Sequence, residues 1–152
     1  MLINETRSKL AQLKLFGMAE GMDAQLATSR ASELSFEEPL GLLVDYEVTS
    51  RENRRLKTLL KMAKLKIRAD LNDLHYSPSR NINRTSIANL STCNWIKQGF
   101  NVLITGPTST GKTYLACALG QQSCLKGLTV QFHNIGLLLD DLEHAAIDGS
   151  YR

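Results

Sequence analysis

The sequence predicts an α/β fold preceded by an all-α N-terminal region. Three observations carry that prediction. Apolar residues recur at helical spacing through roughly the first seventy positions. The period then shortens to two partly β-branched runs, "NVLIT" at 101–105 and "LTVQFHN" at 128–134, which read as strands. A helical pattern follows each run, giving the strands and helices of an incomplete parallel sheet.

Taken in order, Leu15, Met18, Met22 and Leu26 fall on one helical face with Ala19 beside them. Ser35 and Glu38 form a capping-box pattern, in which the serine accepts from free N–H groups and the glutamate reaches back. Pro39 falls in the first turn, where proline is tolerated. Leu40, Leu43, Val44 and Glu47 continue an amphipathic helix. A further stripe at Leu56, Leu59, Leu60, Ala63, Ile67, Leu71 and Leu74 predicts a helix over 51–74.

The polar segment "HYSPSRNINRTS", 75–86, is broken by Pro78, and the residue before a proline is pushed out of helical geometry. The expected division is therefore a helical region 1–75, a linker 76–86 and a second domain 87–152. Short helices are expected at Ile87 to Leu90 and in "CNWIKQG" up to Gly99. "KTYLACALGQQSCLKG" is apolar nearly all round and reads as a helix packed against a sheet. "IGLLLDDLEHAAIDG" reads as a last helix with Ile135, Leu138, Leu142 and Ala145 on one face.

Composition excludes several classes. An apolar fraction of 43% with 22% charged residues is that of a soluble globular protein. No run approaches the apolar length of a membrane span, and the N-terminus lacks the core of a secretory signal. Three cysteines, Cys93, Cys117 and Cys124, without a C-x-x-C pair point to the cytoplasm and to packing as small apolar groups. The three cysteines and three histidines have no metal-ligand spacing, and His75, His133 and His144 show no partner. The net charge of +3 conceals a local +7 in "RENRRLKTLLKMAKLKIR", 51–68.

The most specific feature is "GPTSTGKT": Gly106, Pro107, Thr108, Ser109, Thr110, Gly111, Lys112 and Thr113. It matches G-x-x-x-x-G-K-[ST] at every fixed position, between a predicted strand and a predicted helix. Such a P-loop (Walker A) surrounds a polyphosphate with backbone N–H groups and the positive end of a helix. Lys112 reaches the β- and γ-phosphates, and the Thr113 hydroxyl binds Mg²⁺. ATP and Mg²⁺ are the expected cofactors. The plainer reading, a glycine-containing turn that matches by chance, is disfavoured by the legible strand and helix on either side.

Hydrolysis needs an acidic residue at another strand end and a group that orients water. "LLLDD", 137–141, offers Asp140 and Asp141, but it has no β-branched residue and follows "LTVQFHN" too closely for a parallel crossover. It reads as a solvated helix face.

The stretch "NWIKQGFNVLITGPTSTGKTYLACALGQQSCLKGLTVQF" resembles the IstB-type transposition helper ATPases, insertion-sequence proteins related to the helicase loader DnaC. "SFEEPLGLLVDYEVTSRENRRLKTLLKMAKLK" and "HNIGLLLDDLEHAAIDGSYR" are similar to their flanking regions. The resemblance implies an AAA+ type of P-loop domain, ATP binding, and a role assisting a transposase on DNA. The family commonly has glycine where Ser109 stands, so a positive φ there costs serine on the order of 1 kcal/mol. The family's acidic Mg²⁺ motif, sensor residues and arginine finger lie downstream, so the chain is expected to be a truncated member. Hydrolysis, and a homo-oligomer that depends on those parts, are not assumed.

Arg54, Lys57, Lys61, Lys64 and Arg68 recur at +3, +4, +3, +4 on the predicted helix 51–74. Several phosphate contacts from such a stripe give sequence-independent, salt-sensitive DNA binding. The plainer reading is a solvated face whose lysines cover apolar surface; a membrane-surface helix is disfavoured because the stretch lacks Trp and Phe. The resemblance favours DNA. Trp95 reads as a core residue rather than a base contact, and Phe36, Leu40, Leu43 and Val44 suit either a transposase groove or a packed core. The alternative function is an inert DNA- or transposase-interaction module. A P-loop kinase is disfavoured because no segment offers an acceptor site or a lid.

Overall fold

The structure is a computed structural model describing residues 2–27, 36–76 and 82–150. Its elements are α1 (Leu2–Gln12), α2 (Phe16–Ala27), α3 (Glu37–Ala63), a 3₁₀ turn (Leu71–Asp73), α4 (Arg84–Ser91), α5 (Asn94–Lys97), α6 (Lys112–Leu125) and α7 (Ile135–Ile147). The chain divides into two compact units, Met1–Lys57 and Thr58–Arg152. The expected Ser35 cap and the Pro78 break lie outside the described residues. No described helix is long and apolar enough to cross a membrane.

The predicted α/β fold with its parallel sheet is not what forms. Every described regular element is helical, and no described residue is in a strand. A strand exists only through ladder hydrogen bonds to a neighbour, and "NVLIT" and "LTVQFHN" are extended segments without one. The Phe132 N–H instead donates to Ala63 O, at the end of α3, over 2.9 Å. Within "NVLIT" the alternation typical of extended chain survives: Val102 and Ile104 are half-buried, whereas Leu103 is 88% exposed. It is not the buried strand its composition suggested.

In the first unit, α2 crosses α3 through Gly17 and Gly21, the buried residues of α2. A Cβ at Gly17 would meet Tyr46 O at 2.5 Å and Glu47 Cα at 2.6 Å, so only hydrogen allows this approach. The buried Glu47 carboxylate accepts the backbone N–H groups of Gly17 (2.7 Å) and Met18 (3.2 Å), capping α2 from a different helix. Arg51 Nε holds its other oxygen at 2.6 Å. The Arg51 guanidinium, with the two N–H bonds, keeps the Glu47 carboxyl below its ordinary pKa against the opposing effect of burial. Pro39 occupies the first turn of α3, and its carbonyl accepts from Gln25 Nε2 at 2.8 Å.

The predicted helix 51–74 is shorter than its apolar stripe suggested. It ends at Ala63, and Lys64 follows in a left-handed conformation (φ 47°). The chain then bends at Lys66 and Ile67 and packs on α6. Ala69, Cys117 and Ala118 form a buried cluster with Leu65, Leu71, Tyr114 and Phe132 packed on it. These small residues let segment and helix approach closely. Tyr114 Oη lies 3.3 Å from both Asp70 N and Asp70 O, and Gln121 Nε2 donates to Asp70 Oδ2 at 3.2 Å. α6 thus packs against a chain segment and α4, not against a sheet. On its α4 side, Gln122 Nε2 donates to Ser91 O and Cys93 Sγ meets Ser123 Oγ at 3.6 Å.

Candidate phosphate-binding site

The loop from Gly106 to Gly111 leads directly into α6. Gly106 has φ 149° and Gly111 φ 88°, backbone conformations that side-chain-bearing residues rarely adopt. A Cβ at Gly111 would meet open space, so the backbone there is bare to an approaching group. Ser109 takes φ 66°, a left-handed conformation that glycine would tolerate without cost.

Thr110 Oγ1 donates to Pro107 O at 2.9 Å and draws the loop closed. Lys112 folds back over it, with Nζ donating to Gly106 O at 2.9 Å and to Pro107 O at 2.5 Å. Its charge therefore lies at the loop rather than in bulk solvent.

The start of α6 has no side-chain cap, as is also true of the four-residue α5 after Cys93. Asn83 caps α4 and Asn134 caps α7 through their side chains, whereas Gly111 gives α6 no side-chain cap. First-turn N–H groups without such an acceptor carry the helix's partial positive charge toward whatever anion approaches. Thr113, exposed in that first turn, presents a hydroxyl beside Lys112.

The loop opens into a cavity of about 600 Å³. Thr110, Gly111 and Lys112 form one end, and Leu74, His75 and Ile82 contribute an apolar and imidazole lining. The volume suits a ligand of nucleotide size, and the lining combines Lys112, apolar residues and the acidic Asp73. The residues present thus fit a triphosphate group: bare backbone, an uncapped helix start, a lysine and a vicinal hydroxyl.

Sequence reasoning found the loop and missed this second wall. The sequence alone assigns His75 no role and presents 76–86 as a linker. What puts His75 there is the clamp of Tyr114 and Gln121 on Asp70, which fixes the chain three to five residues before it. The visible signal was Tyr114 and Gln121 themselves, polar residues seven apart on a helix otherwise apolar nearly all round. Trp95 lies elsewhere: its Nε1 donates to Leu90 O at 3.1 Å, and it lines a separate, smaller cavity.

The basic residues are distributed differently from one helical stripe. Arg54, Lys57 and Lys61 lie on α3, whereas Lys64 and Arg68 follow its end. Arg54 also stands 5.3 Å from the Phe16 ring centroid and 3.5 Å from Glu47 Oε1. Lys57, Lys61, Lys64 and Arg68 are exposed. Asp140 and Asp141 are exposed on α7. Phe36, Leu40 and Val44 are exposed, and Leu43 is half-buried.

A family model described as IstB-like ATP binding protein matches residues 8–152. The chain belongs to this family. Among curated relatives it is similar to a protein of Pseudomonas fluorescens named for ATP binding in insertion sequence IS1162, 43% identical over 99% of this chain and 66% of that protein. A Sinorhizobium fredii protein named for ATP binding in an insertion sequence is 34% identical over 99% of this chain and 62% of its own length. A Mycobacterium tuberculosis protein similarly named is 31% identical over 95% of this chain and 58% of its own. The chain thus spans about three fifths to two thirds of these IstB-like relatives. Its loop residues Gly106 to Thr113 fall inside the matched region.

Proposed function

We propose that this chain is an ATP-binding helper protein of DNA transposition. The observation that carries the reading is the loop itself: left-handed Gly111 opening α6 without a side-chain cap, with Lys112 Nζ held at the loop carbonyls. Gly106, Pro107, Thr108, Ser109, Thr110 and Gly111 would surround the phosphates with backbone. Lys112 would neutralise their charge, and the Thr113 hydroxyl would serve Mg²⁺. ATP supplies a polyphosphate whose presence or loss alters the charge held at this loop.

Membership of a family whose relatives are named for insertion sequences supports the setting. The partners we assign are DNA, bound without sequence preference, and the element's transposase. The exposed Lys57, Lys61, Lys64 and Arg68 supply the positive charge for DNA phosphates. Three free, buried cysteines accord with work in the cytoplasm.

The test is fluorescence anisotropy of a labelled duplex with the chain in Mg²⁺ alone, with ADP and with ATP. ATP is expected to change DNA affinity at least severalfold, and Lys112→Ala is expected to abolish that difference. DNA affinity indifferent to nucleotide would contradict the reading.

A further inference from the structure

We propose that Tyr76 and Arg84 form a positioning pair that holds the base end of the cavity, so that they set affinity for the nucleoside part of the ligand rather than for its phosphates. This rests on the reading of the cavity as a nucleotide site.

Arg84 Cζ lies 4.7 Å from the Tyr76 ring centroid, within the range of a cation–π contact. His75, the residue before Tyr76, and Ile82, two before Arg84, both line the cavity that holds Lys112. The contact therefore ties together two stretches of chain, each of which contributes a residue to the cavity lining. Neither stretch belongs to the phosphate loop.

Each partner has its own anchor. Leu74, two residues before Tyr76, is buried, and the chain before it is clamped to α6 through Asp70. Arg84 opens α4, whose start is fixed by Asn83 Oδ1 accepting the Thr85 N–H at 2.8 Å and whose Ile87 is buried. Two anchored points joined by one ring-to-guanidinium contact define the separation of His75 and Ile82. A nucleoside in the cavity would sense how these two residues are held. The triphosphate end depends on Gly111 and Lys112 and is insensitive to it.

Tyr76 and Arg84 are not themselves among the residues lining the cavity, so they act through His75 and Ile82. A contact that only stabilised the chain locally would leave the balance between base and phosphate binding unchanged. A positioning pair shifts it.

The experiment measures affinity for ATP and for inorganic tripolyphosphate, both with Mg²⁺, by isothermal titration calorimetry. The proteins are the wild-type chain, Tyr76→Ala, Arg84→Ala, the double variant and Tyr76→Phe. The two alanine variants are expected to bind ATP roughly three- to tenfold more weakly, with tripolyphosphate affinity unchanged within about twofold. The double variant is expected to be no worse than either single one, since one shared contact is lost only once. Tyr76→Phe keeps the ring face and is expected to retain ATP affinity.

Additive losses, equal losses on both ligands, or no loss would overturn the pair. Equal wild-type affinity for ATP and tripolyphosphate would also overturn it while leaving the phosphate site standing. Binding of neither ligand by the folded wild-type chain would overturn the nucleotide reading, and the pair with it.

Discussion

The Glu47 carboxylate of α3 accepts the backbone N–H of Gly17 at the start of α2, Oε2 to N over 2.7 Å. A helix usually caps its own N-terminus with a residue just before it; here α2 is capped by a residue thirty positions later in the chain. The bond needs the close crossing that Gly17 permits, and without the bond the crossing would leave the buried carboxylate short of its nearest backbone donor. Sequence separation and geometry thus make these two residues interdependent.

Two substitutions should therefore damage the first unit by different routes. Gly17→Ala forces a methyl group against Tyr46 O and Glu47 Cα and is expected to cost about 1–3 kcal/mol. Glu47→Ala leaves the α2 cap unmade and is expected to lower the thermal midpoint by several degrees. Circular dichroism melts of both variants check this. A Gly17→Ala midpoint equal to wild type would exclude the close crossing.

The same carboxylate sets a pH dependence. Its folded pKa is lowered from 4.5, first by Arg51 and then by the N–H bonds, so the folded state favours the ionised form. The stability it contributes is present above about pH 4.5 and is lost as pH falls through the lowered folded value. Melts between pH 7 and pH 3 should show wild type losing more stability than Glu47→Gln. Parallel losses would contradict the assignment.

How much of this was legible depends on whether the information is local. Helices α2 and α7 are legible because apolar residues recur at helical spacing within each, and α6 because its run is apolar nearly all round and longer than a strand. The loop's backbone conformation is legible because glycine stands at Gly106 and Gly111, the two positions of positive φ that flank it. The sheet was misjudged because β-branched composition describes a strand's surface, while the strand itself needs a ladder partner that composition does not specify. The end of α3 was missed because Lys64, not glycine or proline, adopts the left-handed turn, and the apolar stripe runs on to Ile67 and Leu71. The crossing at Gly17 and Gly21 is hidden in the sequence by the large apolar residues around them, whose spacing alone predicts the helix. Four-residue glycine spacing inside a helix was the available signal.

Ser109 carries a cost that glycine would remove. Its φ of 66° places a side chain in the left-handed region, worth about 1 kcal/mol after glycine's greater unfolded-state freedom is counted. Ser109→Gly is expected to raise the unfolding midpoint of the second unit in urea, followed through Trp95, the only tryptophan. Ser109→Ala, which keeps the Cβ, should not. Equal behaviour of the two variants would rule out backbone strain as the cause.

The exposed lysines make a salt-dependence prediction. Lys57, Lys61 and Lys64 replaced together by glutamine are expected to weaken duplex binding and to lower the slope of log affinity against log salt by about 3. Titrations across a range of salt concentrations measure it. An unchanged slope would remove these residues from any DNA contact.

The central claim is that the loop at Gly106–Thr113 binds nucleotide phosphates through Lys112. Binding of a fluorescent ATP analogue with Mg²⁺, compared between wild type and Lys112→Ala, tests it most directly. The account predicts saturable wild-type binding and at least about tenfold weaker binding in the variant, a difference of about 1.4 kcal/mol, with equal helical circular dichroism. Equal binding by both proteins, or none by a folded wild-type chain, would contradict it.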